Sequence, residues 1–250
     1  MADHILVERP AGYPGVQIIR FNRPDKKNAV TRAMYTAMTS ALQAADADPD
    51  IGATVFLGTE GCFSAGNDLG DFLAVAMGGG MPREVIEFLY ALVRAAKPLV
   101  SGVDGLAIGI GTTMHLHCDL TIASARSHFR TPFVDLALVP EAASSLIAPR
   151  IMGAQRAFAL LAAGEAFSGA EAREAGLVWK VVDPGQVEEE TLGLAARLAA
   201  KPPEALRLSR DLIRGDREEI IARIDEEARH FSARLQSREA RAAFEAFMRR

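Results

Sequence analysis

Apolar residues come in short runs punctuated by Gly and Pro, and the period of each run predicts its element. Residues 5–7 and 16–21 read as a strand pair joined by a Pro/Gly turn at residues 10–15. Residues 22–27 form a polar loop. Thr31 is placed to cap a helix running to about Ala47, with Met34, Met38 and Leu42 on one face. Residues 53–57 read as a buried strand and 61–70 as a loop or a helix start. Residues 74–82, with Gly78, Gly79 and Gly80, are small and Gly-rich, which fits a flexible connection or a lid, and a helix follows over 83–96. After Lys97-Pro98 comes a short apolar strand, 99–103. Four glycines (Gly102, Gly105, Gly109, Gly111) then crowd a turn into a helix-like run, 112–116, and 119–124 is a second strand. Residues 129–139 read as extended and apolar, 147–161 as a helix, 171–176 as a short helix ending on glycine, and 178–182 as a strand. Beyond Pro184 the pattern is helical: about 187–200, 204–214, and 218 to the C-terminus.

The strand–strand–helix rhythm around residues 53–96 recurs from residue 97, an α/β arrangement. At 250 residues the chain can hold one large core. It divides into a mixed region, 1–186, and a helical region, 187–250, whose Arg and Glu fit a solvated face. A net charge of −4 without a basic block gives no nucleic-acid footprint. Two cysteines, Cys62 and Cys118, fit reduced thiols of a cytoplasmic protein. No signal peptide is evident at the N-terminus, and no apolar run reaches the ~18 residues of a membrane helix.

The candidate chemistry lies in residues 97–141. Glycines between a strand and a helix allow tight turns and close approach of a ligand to backbone N–H groups. The first N–H groups of a helix have no partner within it. Such donors suit developing negative charge. Glu141 follows an apolar stretch and Pro140 as a lone carboxylate. Donors for an oxyanion and one base in an apolar setting suggest chemistry at the α-carbon of a carbonyl.

Four segments carry a family resemblance: Phe21-Asn22-Arg23-Pro24 with Asn28-Ala29-Val30; Cys62-Phe63-Ser64-Ala65-Gly66-Asn67-Asp68-Leu69; residues 97–124; and residues 163–182. In this order they resemble the crotonase (enoyl-CoA hydratase/isomerase) superfamily. The resemblance implies a spiral of ββα repeats followed by a C-terminal helical oligomerisation region, assembled as a homotrimer or a dimer of trimers. It implies an acyl-CoA substrate and no separate cofactor. Its two backbone donors map onto the N–H groups of Asn67 and Ile110. CoA contacts map onto Lys27, Asn28, Ala29, Ala65, Gly66 and Gly111, with Arg23 and Lys26 as further cations that solvated loop charge explains equally well.

Hydratases of this superfamily use two glutamates. The resemblance places those positions at Thr113 and Phe133, neither of which can act as a carboxylate. Glu141 stands where isomerases of the peroxisomal Δ3,Δ2-enoyl-CoA type carry their single base, and Thr131-Pro132-Phe133, Pro140-Glu141 and residues 149–152 resemble that branch. An isomerase is therefore the leading expectation. A hydratase with unusual acids, or a non-catalytic acyl-CoA-binding protein, is the alternative. Asp135, on the same strand face as Phe133 if the run is extended, is a second acid or an ion-pair partner. Asp68 is placed to cap a helix. His115, His117 and Cys118 lack the spacing and carboxylates of a metal site, so no metal is expected. No Walker sequence or complete dinucleotide fingerprint is present.

Overall fold

The computed structural model describes residues 4–68, 70–71 and 80–248. The expected lid or connection at 74–82 lies outside them up to residue 79. The chain opens with Ile5–Glu8 (β1) and Val16–Phe21 (β2), an antiparallel pair with Ile5 opposite Phe21. Arg32–Ala47 (α1) follows, and the Thr31 hydroxyl accepts the Met34 N–H as its cap.

One unit then repeats: a strand, a second short strand, and helix. The first copy is Ala53–Leu57 (β3), Cys62–Ser64 (β4) and Arg83–Arg94 (α2). The second is Leu99–Val103 (β5), Leu106–Ile108 (β6), Ile110–Thr113 (α3) and a 3-10 turn, Met114–His117. The third is Leu120–Ser124 (β7), His128–Arg130 (β8) and Ser144–Leu161 (α4). Phe167–Ser168 (β9), Gly169–Glu174 (α5) and Lys180–Val182 (β10) complete the sheets. The first strand of each unit joins a six-stranded sheet ordered β1-β2-β3-β5-β7-β10, and the second joins a four-stranded sheet ordered β4-β6-β8-β9. Strands from successive units pair in parallel. This is the α/β spiral of ββα repeats that the resemblance implied.

Parallel strands covered on both faces are apolar throughout, and β3 and β5 are buried along their whole length. Alternation sends Ile19, Phe21 and Phe56 into the main core with Tyr35, Phe63 and Phe88, where the Phe21 and Phe63 rings meet at 5.1 Å. It sends Ile18, Val55 and Leu57 into a smaller core on the opposite face. Leu192 and Ala195 of Val187–Ala199 (α6) seal that face, so α6 packs on the spiral itself. The remaining helices are Pro203–Arg214 (α7), Arg217–Leu235 (α8) and Arg238–Met248 (α9). Arg210 and Arg214 of α7 both bond Asp119, whose Oδ2 also accepts the Leu99 N–H at 2.8 Å. That cluster fixes the helical region to the head of β5 and β7.

The structure corrects four local expectations. Cys62–Ser64 is a strand, not a loop or helix start, and β6 is a further strand within the glycine-rich stretch. Strands of three residues are too short to show a period. Residues 129–139 are not extended beyond Arg130: Val134–Leu136 is a 3-10 turn closed by Ala137 in the left-handed region. Pro132 has no N–H for the ladder, and its carbonyl accepts the Leu136 N–H instead. Phe133 and Asp135 therefore share no strand face. Last, the C-terminal helix breaks at Gln236 and Ser237, where the Ser237 hydroxyl accepts the Ala240 N–H and caps α9.

Candidate active site

Two turns bring backbone N–H groups together. The first leaves β4 through Ala65 and Gly66 to Asn67. It is held from below by Asn28, whose amide donates to Thr59 Oγ1 at 2.9 Å and to the carbonyls of Cys62 and Phe63. The Val30 N–H reaches the Gly66 carbonyl and the Asp68 N–H reaches the Val30 carbonyl, so Asn67 is pinned on both sides. Tyr35 donates its hydroxyl to Asn67 Oδ1. Asp68 accepts the N–H groups of Gly70 and Asp71 and pairs with Arg23 at 2.6 Å.

The second turn leaves β6 through Gly109 into α3, whose first residue is Ile110. Gly109 sits at φ 57°, ψ −122°, a conformation that only glycine takes without strain. The turns lie against each other: a Cβ on Gly66 would be 3.0 Å from the Ile108 carbonyl oxygen, and one on Gly111 would be 2.9 Å from that of Ser64. Among the described residues, neither the Asn67 N–H nor the Ile110 N–H donates a hydrogen bond. Both residues line one cavity of about 420 Å³.

The opposite wall of that cavity is apolar. Phe133, Leu136 and Leu138 come from the third unit, and Phe231 and Phe244 from α8 and α9. Lys27 and Arg130 add positive charge. Of the six expected CoA contacts, Lys27, Ala65 and Gly66 line the cavity, whereas Asn28, Ala29 and Gly111 do not. The N–H and carbonyl of Asn28 bond Arg23 and Ser64, and those of Ala29 bond Lys26 and Arg23. Gly111 serves the close packing against Ser64.

Glu141 follows the cavity-lining Leu138 by three residues and is 2% exposed. Thr113 donates its hydroxyl to Glu141 Oε1 at 2.5 Å, and Oε2 has no partner. Ile110 and Thr113 are the two ends of α3, about 4.5 Å apart along the axis, so one turn of helix carries both the donor and the contact to the carboxylate. Burial raises the Glu141 pKa to about 8, with the Thr113 bond opposing and the charge of Glu227 adding to the rise. Tyr35 lies within reach of the Glu141 charge, and its hydroxyl is held well above its usual value by burial and by Glu141.

Behind Glu141, Ala142 and Ala143 both have positive φ, 62° and 52°. Left-handed backbone costs a non-glycine residue about 1–2 kcal/mol, so tertiary contacts must hold this turn. His117 supplies one, its Nε2 lying 2.7 Å from the Ala142 carbonyl. A carbonyl only accepts, so Nε2 carries the proton. His115 bonds Ser101, which bonds Thr121. No group of three or more His, Cys, Asp or Glu able to hold a metal occurs among the described residues. Asp135 pairs with Arg130 at 2.9 Å and is half exposed, which makes it the ion-pair partner and not a second acid.

Thr113 was singled out only as a missing glutamate, although its position one helical turn from Ile110 could have shown it as a partner for a carboxylate. Arg130, Phe231 and Phe244 left no comparable local signal.

A family model described as Enoyl-CoA hydratase/isomerase matches residues 11–250. Enoyl-CoA delta isomerase 2 of Rattus norvegicus is 37% identical over 94% of this chain and 62% of its own length. The chain thus spans about three-fifths of that relative. A probable enoyl-CoA hydratase of Rhizobium meliloti is 31% identical over 83% of this chain and 80% of its own. The solved structure of Pseudomonas aeruginosa OdaA superposes with a TM-score of 0.94 at 40% identity, covering all of both chains.

Proposed function

The chain belongs to the enoyl-CoA hydratase/isomerase family, and from that premise we propose that it is a Δ3,Δ2-enoyl-CoA isomerase. One observation carries the reading: Glu141, a buried carboxylate, has one oxygen held by Thr113 and one without a partner. The Ile110 donor stands one helical turn away. Glu141 takes the proton from C2 of a 3-enoyl thioester, and electrons move to the thioester oxygen. The N–H groups of Asn67 and Ile110 stabilise that enolate, each donor being worth ~10²–10³ in rate. The Glu141 carboxylic acid then returns the proton at C4, leaving the 2-enoyl product. A pKa near neutrality suits a group that must both take and give a proton. Only a proton moves, so the chemistry calls for no cofactor beyond the CoA that carries the acyl group. Lys27 offers positive charge for its phosphates, and the phenyl rings of Phe133, Phe231 and Phe244 offer an apolar bed for the chain.

Hydration is the second reading, favoured by the hydratase name of one relative. It would use a second acid, and Asp135 and Asp68 are each taken up by an arginine. A non-catalytic acyl-CoA-binding protein would have no use for a buried carboxylate poised near neutrality. Phe158 and Trp179 are 68% and 64% exposed, and Leu212 and Ile213 are 85% exposed. These apolar faces support assembly as a homotrimer or a dimer of trimers. Both cysteines are free thiols, in keeping with the cytoplasm, and no described helix is long and apolar enough to cross a membrane.

The test is to supply a 3-enoyl-CoA and a 2-enoyl-CoA separately, follow the absorbance of the conjugated thioester, and weigh the products. Absorbance gained from the 3-enoyl substrate without a mass change supports isomerisation. Addition of water to the 2-enoyl substrate as the main reaction overturns it in favour of hydration.

A further inference from the structure

Resting on the isomerase reading, we infer that Glu227 of helix α8 is a positioning residue for Glu141, clamping the turn that carries it and setting a second buried carboxylate near it. The turn needs such a clamp. Helix α4 begins at Ser144, and the residue before it, Ala143, has no side-chain oxygen to cap the free N–H groups. Glu227, far away in sequence, takes that place. Its Oε1 accepts the Ser145 N–H at 2.9 Å; burial raises its pKa, and the Ser145 hydroxyl and N–H, the Ala143 N–H and the Arg223 charge oppose that rise. Arg223, one turn earlier on α8, donates to Ser145 Oγ at 3.2 Å, and Arg150 of α4 pairs with Glu219 of α8 at 2.6 Å.

Ala143 is left-handed, not in the extended conformation from which a serine or aspartate caps a helix, so the acceptor has to come from elsewhere in the chain. Glu227 is only 6% exposed, and its second oxygen has no partner. What a local cap would not provide is a link between α8 and the base. Phe231, one turn further along α8, lines the cavity, so the helix that shapes the apolar wall also holds the turn bearing the carboxylate. The groups bearing on Glu141 are Tyr35 from α1, Thr113 from α3, His117 through the Ala142 carbonyl, and Glu227 from α8; Arg223 acts on Glu227. Of these, Glu227 contributes a negative charge, and its effect is to keep Glu141 protonated to higher pH.

The test compares the wild type with Glu227→Gln and Glu227→Ala, using a 3-enoyl-CoA across pH. Glu227→Gln keeps an oxygen for the Ser145 N–H and removes the charge. The acidic limb of its kcat/KM profile is expected at lower pH than in the wild type, with KM within about twofold. Glu227→Ala removes the clamp as well, and kcat is expected to fall by ~10-fold or more, toward the ~10²-fold that misplacement of a catalytic group can cost, with KM little changed. Superimposable pH profiles for wild type and Glu227→Gln overturn the inference. So does a lower Tm in Glu227→Ala with unchanged kcat, which would make Glu227 a structural cap alone. If Glu227→Ala does not fold, the Glu227→Gln profile decides. Wild-type protein that turns over no 3-enoyl-CoA sinks the isomerase reading instead. In that case infrared titration of the Glu141 carboxyl, assigned with Glu141→Gln, shows whether Glu227→Gln lowers its pKa, and no change overturns the inference by itself.

Discussion

Two buried titratable regions meet at the hydrogen bond from His117 to the Ala142 carbonyl, and the same physical force acts on them in opposite directions. In the 3-10 turn Met114–His117, burial pushes the pKa of His115 down to about 3 and that of His117 down to about 4. In the adjoining turn, burial raises Glu141 to about 8. Desolvation penalises whichever form is charged, so all three side chains are mainly neutral at pH 7. The consequence differs. The histidines would have to be taken far below neutral pH before they bound a proton; His115 Nδ1 is bonded to Ser101 and His117 Nε2 to the Ala142 carbonyl. Glu141 changes charge within about one unit of neutrality. Burial is common to both regions, and only the carboxylate is poised to exchange a proton.

The strongest way to break this contrast is Glu141→Gln. Its isomerase kcat should fall by at least the ~10²–10⁴ of general acid–base catalysis, while circular dichroism and CoA binding stay as in the wild type. Near-full activity would remove Glu141 from the chemistry. In the wild type, kcat/KM should rise with pH toward about 8 as Glu141 ionises, with no inflection near the ordinary histidine value.

The same variant sharpens the contrast through stability. Below about pH 4.5 the carboxyl is protonated in both folded and unfolded chains. Between 4.5 and about 8 it ionises only when unfolded, so the wild type loses stability as pH rises through that window. Glutamine does not titrate. Glu141→Gln should therefore gain stability over the wild type across that range, by up to about 4–5 kcal/mol at its alkaline end. Denaturant unfolding at pH 5 and pH 8 reads the difference, and an equal gap at both pH values would contradict the raised pKa.

His117→Phe should act as the structural member of the pair. It leaves the Ala142 carbonyl without its donor, at a cost of about 1–3 kcal/mol in chemical denaturation. Its pH profile should keep the wild-type acidic limb, and loss of that limb would make the histidine a proton carrier. Thr113→Val should have the smallest effect on rate. It removes a donor that favours ionised Glu141, so the limb should move to higher pH. A shift the other way would mean that Thr113 accepts from a protonated carboxyl.

Much of the spiral was legible because its elements bury one face or both. Ala53–Leu57 and Leu99–Val103 are the expected strands to the residue, and Thr31 caps the helix expected of it. The second sheet was not legible, because three-residue strands in glycine-rich turns carry no period. The run after Arg130 misled because a 3-10 turn packed in the core is as apolar as a strand. Asn67 and Ile110 were expected only through the family resemblance, and Glu141 through both its local setting and that resemblance.

By itself, the sequence determined where the chain turns, which helix faces are apolar, and that small residues flank Asn67 and Ile110. These are local properties, set by side-chain period and by the conformations that Gly, Pro and cap residues allow. Only the tertiary structure decided which of the three candidate acids, Asp68, Asp135 and Glu141, is left with a buried, unpartnered oxygen. Asp68 and Asp135 meet arginines, whereas Glu141 meets a hydroxyl, apolar walls and the charge of Glu227. A carboxylate's pKa depends on what surrounds it in space, and here those surroundings come from α1, α3 and α8, distant in the chain and joined only by folding.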